Sequence, residues 1–93
     1  MPYRVDFLEE AAQDWLNLDY SVRKRLAQAI ERLKTNPRQY GDSLSGPLHG
    51  LRRIRTGDYR IVYKVIEETT TVEVGAVCHR EDVYRLALKR HLV

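Results

Sequence analysis

The stretch Leu51-Arg52-Arg53-Ile54-Arg55-Thr56-Gly57-Asp58-Tyr59-Arg60-Ile61-Val62-Tyr63-Lys64 decides the fold, and it reads as a β-hairpin. Thr56-Gly57-Asp58 supplies the turn, because glycine adopts the positive φ that a tight connection needs. Beyond the turn, Tyr59, Ile61, Tyr63 and Val65 share one parity and Asp58, Arg60, Val62 and Lys64 the other. The first set is the better core face. Before the turn Ile54 faces the core, so Arg53 and Arg55 point away from it, as Arg60 does. Three guanidiniums on one face of adjacent strands repel one another. Such a face invites an anionic visitor; the alternative is an ordinary solvated sheet face. Arg52 falls on the core parity and sits at the start of its strand.

The rest of the chain supplies layers for this hairpin. Tyr3, Val5 and Phe7 alternate with Arg4 and Asp6, which predicts a short strand over 2–7. From Leu8 the period changes: Leu8, Ala11, Ala12, Trp15 and Leu16 form a helical stripe, with Glu9 and Glu10 near its N-terminus. A second helix is expected after Asp19, its N-cap, running to about Lys34 with Val22, Leu26, Ala29, Ile30 and Leu33 buried. Asn36-Pro37 ends it. Residues 38–50 hold Gly41, Gly46, Pro47 and Gly50 and read as a loop. After a turn at Glu67-Thr70, Thr71–His79 reads as a strand. Val72, Val74, Ala76 and Cys78 lie on one face, and Glu73, Gly75, Val77 and His79 on the other, where His79 joins the arginines. Gly75 leaves room above the sheet for a ligand or a crossing backbone. Glu81-Asp82 then cap a last helix with Val83, Leu86, Ala87 and Arg90 inward. The expectation is a single α+β domain over 1–93: N-terminal strand, helical hairpin, three-stranded antiparallel meander and short C-terminal helix.

Composition narrows the chemistry. The 93 residues carry a formal net charge of +3, with 43% hydrophobic and 31% charged residues, as in a water-soluble globular domain. Leu51–Lys64 holds five cations against one acid, Asp58, whereas the first fourteen residues hold four acids against one arginine. A local basic surface suits phosphate or an acidic protein. Lipid fits less well, since the cations lie on strands rather than on an amphipathic helix. No apolar run approaches a membrane span and no signal-peptide core follows Met1, so the expected location is the cytoplasm. Cys78 is alone, which fits a reducing compartment, and reads as strand packing. His49, His79 and His91 lack metal-ligand spacing. Gly41-Asp42-Ser43-Leu44-Ser45-Gly46 lacks the lysine of a nucleotide-binding loop. A metal-free reaction on a phosphodiester remains sensible, because fixed guanidiniums stabilise the extra charge of its transition state.

The hairpin block through Tyr63, together with Val77-Cys78-His79-Arg80-Glu81-Asp82-Val83-Tyr84, resembles the RelE/ParE toxin superfamily, on its RelE-like side, over nearly the whole chain. That resemblance implies a microbial toxin that cuts mRNA in the ribosomal A site and is held inactive by a cognate RelB-like antitoxin in a higher heteromer. It implies no cofactor: the RNA 2′-OH attacks the adjacent phosphate and leaves a 2′,3′-cyclic phosphate. By the same resemblance Arg60 binds the phosphate, Arg80 assists at the scissile phosphate and leaving group, Tyr84 stacks on or orients the nucleotide, and Arg53 is the basic residue of the preceding strand. Arg52, Arg55 and Lys64 are further expected RNA contacts. One departure is Leu51, where the RelE pattern has lysine, and it leaves the general base open. His79 is the leading candidate, since imidazole titrates near neutral pH. His49 is the weaker one. Two other readings stay open, a ParE-type inhibitor of DNA gyrase and a basic module that binds RNA or protein without chemistry.

Overall fold

Gly57, at φ +60°, turns the chain between β3 (Arg52–Thr56) and β4 (Tyr59–Ile66) of a computed structural model that describes residues 2–93. Thr56 stands opposite Tyr59, Ile54 opposite Ile61 and Arg52 opposite Tyr63, as the alternation requires. Around the hairpin lie β1 (Arg4–Phe7), α1 (Glu9–Leu16), α2 (Tyr20–Thr35), the one-turn α3 (Pro37–Tyr40), β2 (Asp42–Ser43), β5 (Thr71–His79) and α4 (Val83–Lys89). The sheet order is β1-β5-β4-β3-β2, antiparallel except for β1, which runs parallel to β5. The helical hairpin of α1 and α2 makes the crossover that a parallel pair needs.

Two expectations for the connections change. Pro37 does end α2, but it then opens α3, since a proline suits the first turn of a helix. The stretch 38–50 is not bare loop: it adds β2 beside β3 and a 3-10 turn at Gly46–Leu48. Asp19 occupies the N-cap of α2, but its carboxylate accepts no capping hydrogen bond.

Both faces of the sheet are covered, not one. On the first, Ala11 of α1 and Leu26, Ala29 and Leu33 of α2 pack on Ile54, Ile61, Tyr63, Val72, Val74 and Val77. On the second, Val83 and Ala87 of α4 join Leu48, Leu51 and Leu92 over Val62, Ala76 and Cys78. Val62, on the parity expected to be open, is fully buried.

A bulge explains the rest of the disagreement. Val62 pairs with Ala76 but Tyr63 pairs with Val74, so Gly75 is an extra residue in β5. One extra residue reverses which face the following side chains take. Val72, Val74 and Val77 therefore face the helical hairpin, and Ala76 and Cys78 face α4. The space over Gly75 belongs to Leu92, whose methyl carbons lie 2.8 Å from where a β-carbon would be. No ligand is needed to fill it.

β1 pairs only with Thr71–Val74, so the rest of that β5 edge must satisfy its backbone elsewhere. The Val77 N–H donates to Asp14 Oδ2 at 2.9 Å, and Arg90 Nη1 donates to the Gly75 carbonyl at 3.2 Å. Arg90 and Asp14 also meet fork to fork, at 2.7 and 2.8 Å, with Glu10 3.4 Å from Arg90 Nε. Their side chains are only 11% and 17% exposed. The hydrogen bonds that Arg90 donates to Asp14 hold its guanidinium above its ordinary pKa, against the opposing effect of burial. Arg90 faces inward, as its helical position predicts.

Candidate active site

The hairpin register places Arg53 opposite Val62 and Arg55 opposite Arg60. These three arginines therefore share the α4 side of the sheet, at the turn end of the hairpin. Arg60 is the most enclosed of them, at 8% exposure. Its Nη1 donates to the Gly57 and Tyr59 carbonyls, both at 2.9 Å. Nε of Arg60 and Nε of Arg53 are buried with no partner. Among the described residues no carboxylate lies within ion-pair distance of Arg53, Arg55 or Arg60. Burial, and after it the guanidiniums of Arg53, Arg55 and Arg80, push the Arg60 pKa down; Asp58 opposes them. A cation in that setting gains more from an arriving anion than an exposed one does.

Arg80 reaches the cluster from β5. Its backbone N–H donates to the Asp58 carbonyl at 2.7 Å, which docks the 3-10 turn Arg80–Asp82 against the hairpin turn. The side-chain contact to Asp58 is long, 3.9 Å, and exposed. Tyr84 follows in the first turn of α4, 53% exposed, with its ring available to a ligand. Arg53, Arg55, Arg60 and Arg80 thus form one group, with Tyr84 on the helix that starts beside it.

Four expected residues lie elsewhere. His79 stands opposite Tyr59, and the two rings meet edge to face at 6.5 Å. Tyr59 packs with the helical-hairpin core, so His79 is on the face opposite Arg60, a correction that follows from the bulge at Gly75. Its Nδ1 accepts the Glu81 N–H at 3.3 Å. Arg52 is turned the other way from Arg53, and its guanidinium is engaged by Ser43 Oγ at 2.8 Å and by the Arg38 and Gly41 carbonyls at 2.8 and 2.7 Å. It braces the 38–43 segment rather than joining the cluster. Lys64 shares the arginine face and stands opposite Glu73. It lies four residues, roughly 13 Å, along β4 from Arg60, with the Val62 contact of the second core between them. His49 lines a separate recess of about 280 Å³ with Arg38, Ser43 and Arg52.

Three features were missed or only half read in the sequence. The Asp14–Arg90 fork joins residues 76 apart, and only the inward placement of Arg90 hinted at it. Asp58, read as a turn former, is also the one acid beside the cluster. Trp15, read as core, packs edge-on against Phe7 but also lines an apolar groove of about 480 Å³ between α1 and α2 with Leu16, Ala27 and Ile30. Among the described residues no group of three or more His, Cys, Asp or Glu is placed to hold a metal ion, and no helix is long and apolar enough to cross a membrane. Burial, followed by Asp14 and Asp82, pushes the Cys78 thiol up to about 11, which leaves it inert packing.

A family model described as the ParE toxin of the type II toxin–antitoxin system parDE matches residues 5–84. The mRNA interferase toxin RelE of Escherichia coli K12 is 36% identical over 95 residues, covering 99% of this chain and 100% of that protein. Toxin RelG of Mycobacterium tuberculosis is 35% identical over 86 residues, 91% and 99% of the two chains. Among solved structures, a two-arginine variant of E. coli RelE in the free state superposes with a TM-score of 0.80 at 35% identity, covering 97% of this chain and 98% of that one. RelE in the intact E. coli RelBE toxin–antitoxin complex gives 0.75 at 32% identity, covering 83% and 95%. The chain belongs to the RelE/ParE toxin superfamily, on its RelE-like side.

Proposed function

We propose that this protein is the toxin of a type II toxin–antitoxin pair, a single-domain endoribonuclease that cuts mRNA on the ribosome in the cytoplasm. The observation that supports this best is Arg60, buried, without a carboxylate and ringed by Arg53, Arg55 and Arg80. A phosphodiester seated there meets permanent, pre-placed cations, and they gain most when the phosphorus becomes pentacoordinate and its oxygens take up charge. The 2′-oxygen bonds to phosphorus and the bond to the 5′-oxygen breaks, giving a 2′,3′-cyclic phosphate and a 5′-hydroxyl. One proton leaves the 2′-OH for solvent water and one reaches the departing 5′-oxygen from solvent water. Leu51 is buried and His79 lies on the other face, so neither a lysine nor an imidazole stands at the cluster to take the first proton. The guanidiniums therefore work mainly by lowering the energy of the charged oxygens. Arg80, exposed at the turn, serves the leaving-group side, and Tyr84 stacks on the nucleotide.

The relatives named as RelE and the RelBE complex support a RelB-like antitoxin as partner, in a heteromer that keeps the toxin silent. An acidic, amphipathic segment that orders on contact suits so basic a surface. The test is induced expression with mapping of mRNA 5′ ends by primer extension. New in-frame ends that vanish with Arg60→Ala support cleavage on the ribosome. The ParE name of the matching family model favours one other reading, gyrase inhibition, which predicts DNA damage with intact transcripts. Salt-sensitive RNA binding without either outcome would leave a non-catalytic module.

A further inference from the structure

We infer that the Asp14–Arg90 fork is a positioning device for the cleavage step, acting through Arg80 and Tyr84, an inference that rests on the ribonuclease reading above. The fork ties together three elements that carry or flank those residues. Asp14 comes from α1 and also accepts the Val77 N–H, three residues before Arg80. Arg90 closes the far end of α4, six residues after Tyr84, and also holds the Gly75 carbonyl at the bulge. The only covalent link between β5 and α4 is the 3-10 turn Arg80–Asp82.

The seat of α4 on the sheet is apolar. Val83, Ala87 and Leu92 rest on Val62, Ala76 and Cys78. Apolar contact holds a seven-residue helix down without fixing its rotation, because the hydrophobic effect is non-directional. A planar guanidinium against a planar carboxylate does fix direction. A buried ion pair is a poor source of net stability next to an apolar pair of the same shape. What it supplies here is a set angle for α4, and with it the place of the Tyr84 ring and of the Arg80 side chain beside Arg60. Near-attack geometry is sensitive to shifts of about 1 Å.

The test is single-turnover cleavage of mRNA on programmed ribosomes by the full-length chain. Arg90→Lys keeps the charge and loses the fork. Its cleavage rate at saturation should fall about tenfold, with the concentration for half-maximal rate unchanged and a cooperative melt retained. Combined with Tyr84→Ala, the same change should lose less than the product of the two single losses, the remainder being the part that runs through Arg80. Asp14→Asn, which keeps an acceptor for Val77, should reproduce these results and stands in if Arg90→Lys does not fold. Wild-type rates from both single variants, or losses that multiply with Tyr84→Ala, would overturn the inference while leaving the nuclease intact. Cleavage that survives Arg60→Ala undiminished removes the nuclease reading itself, and this inference with it.

Discussion

Arg90 and Arg60 are both nearly hidden from water, and their surroundings are opposite in sign. Arg90 faces Asp14 twice over, with Glu10 behind it. Arg60 faces two backbone carbonyls and three other arginines. Burial alone does not distinguish a structural cation from a functional one. The difference lies in whether the folded chain supplies the counter-charge. Where it does, the arginine belongs to the architecture; where it does not, the fold leaves a binding opportunity for something anionic.

Truncating each residue should separate these roles. Arg90→Ala strands Asp14 in a half-dry pocket and should cost about 3–5 kcal/mol of stability, read from urea or thermal unfolding; a loss below 1 kcal/mol would break the contrast. Arg60→Ala strands no carboxylate. Its lost hydrogen bonds to two carbonyls are offset by relief of repulsion, so stability should stay within about 1 kcal/mol, while cleavage on programmed ribosomes drops about 10²–10³-fold. If Arg60→Ala unfolds the protein, the uncompensated cation is structural after all.

Cys78 sits between the two regions, opposite Arg60 in the ladder and within reach of the Asp14 charge. Its folded-state pKa is raised to about 11 from an ordinary 9.0, so the folded protein binds the thiol proton more tightly. The associated stability is fully present below pH 9 and is lost as pH rises toward 11, up to about 2 kcal/mol. Melting curves across that window should steepen in the wild type and flatten in Cys78→Ala. The smallest effect belongs to Arg55, the exposed member of the three hairpin arginines. Arg55→Ala should weaken ribosome or RNA binding a few-fold and reduce the salt-dependence slope by about one, measured by titration at several salt concentrations.

Most of the fold was legible because its signals are local. Gly57 marks the turn, Asn36-Pro37 ends α2, and the switch from period two at Phe7 to a helical stripe at Ala11 marks the start of α1. The arginine cluster was legible for the same reason: Arg53, Arg55 and Arg60 fall on one face once the turn is placed. The face of His79 was not, because a single inserted residue at Gly75 leaves no trace in an alternating pattern that both strand faces bury. Val62 looked like a solvent position from its neighbours Arg60 and Lys64, but Val83 and Ala87 of α4 cover it together with Leu48, Leu51 and Leu92. Nor could Asp14 be matched to Arg90, because pairing across 76 residues is a property of the folded chain and not of any segment.

β2 shields only Arg52 and Arg53 along the outer side of β3, so among the described residues the margin of the sheet from Ile54 to Thr56 has no neighbouring strand. A bare margin usually invites self-association, and positive side chains along it are a common deterrent. Two such margins brought face to face would each confront the other's Arg55. A residue that suits the molecule to a polyanion thus also opposes edge-to-edge pairing of identical molecules.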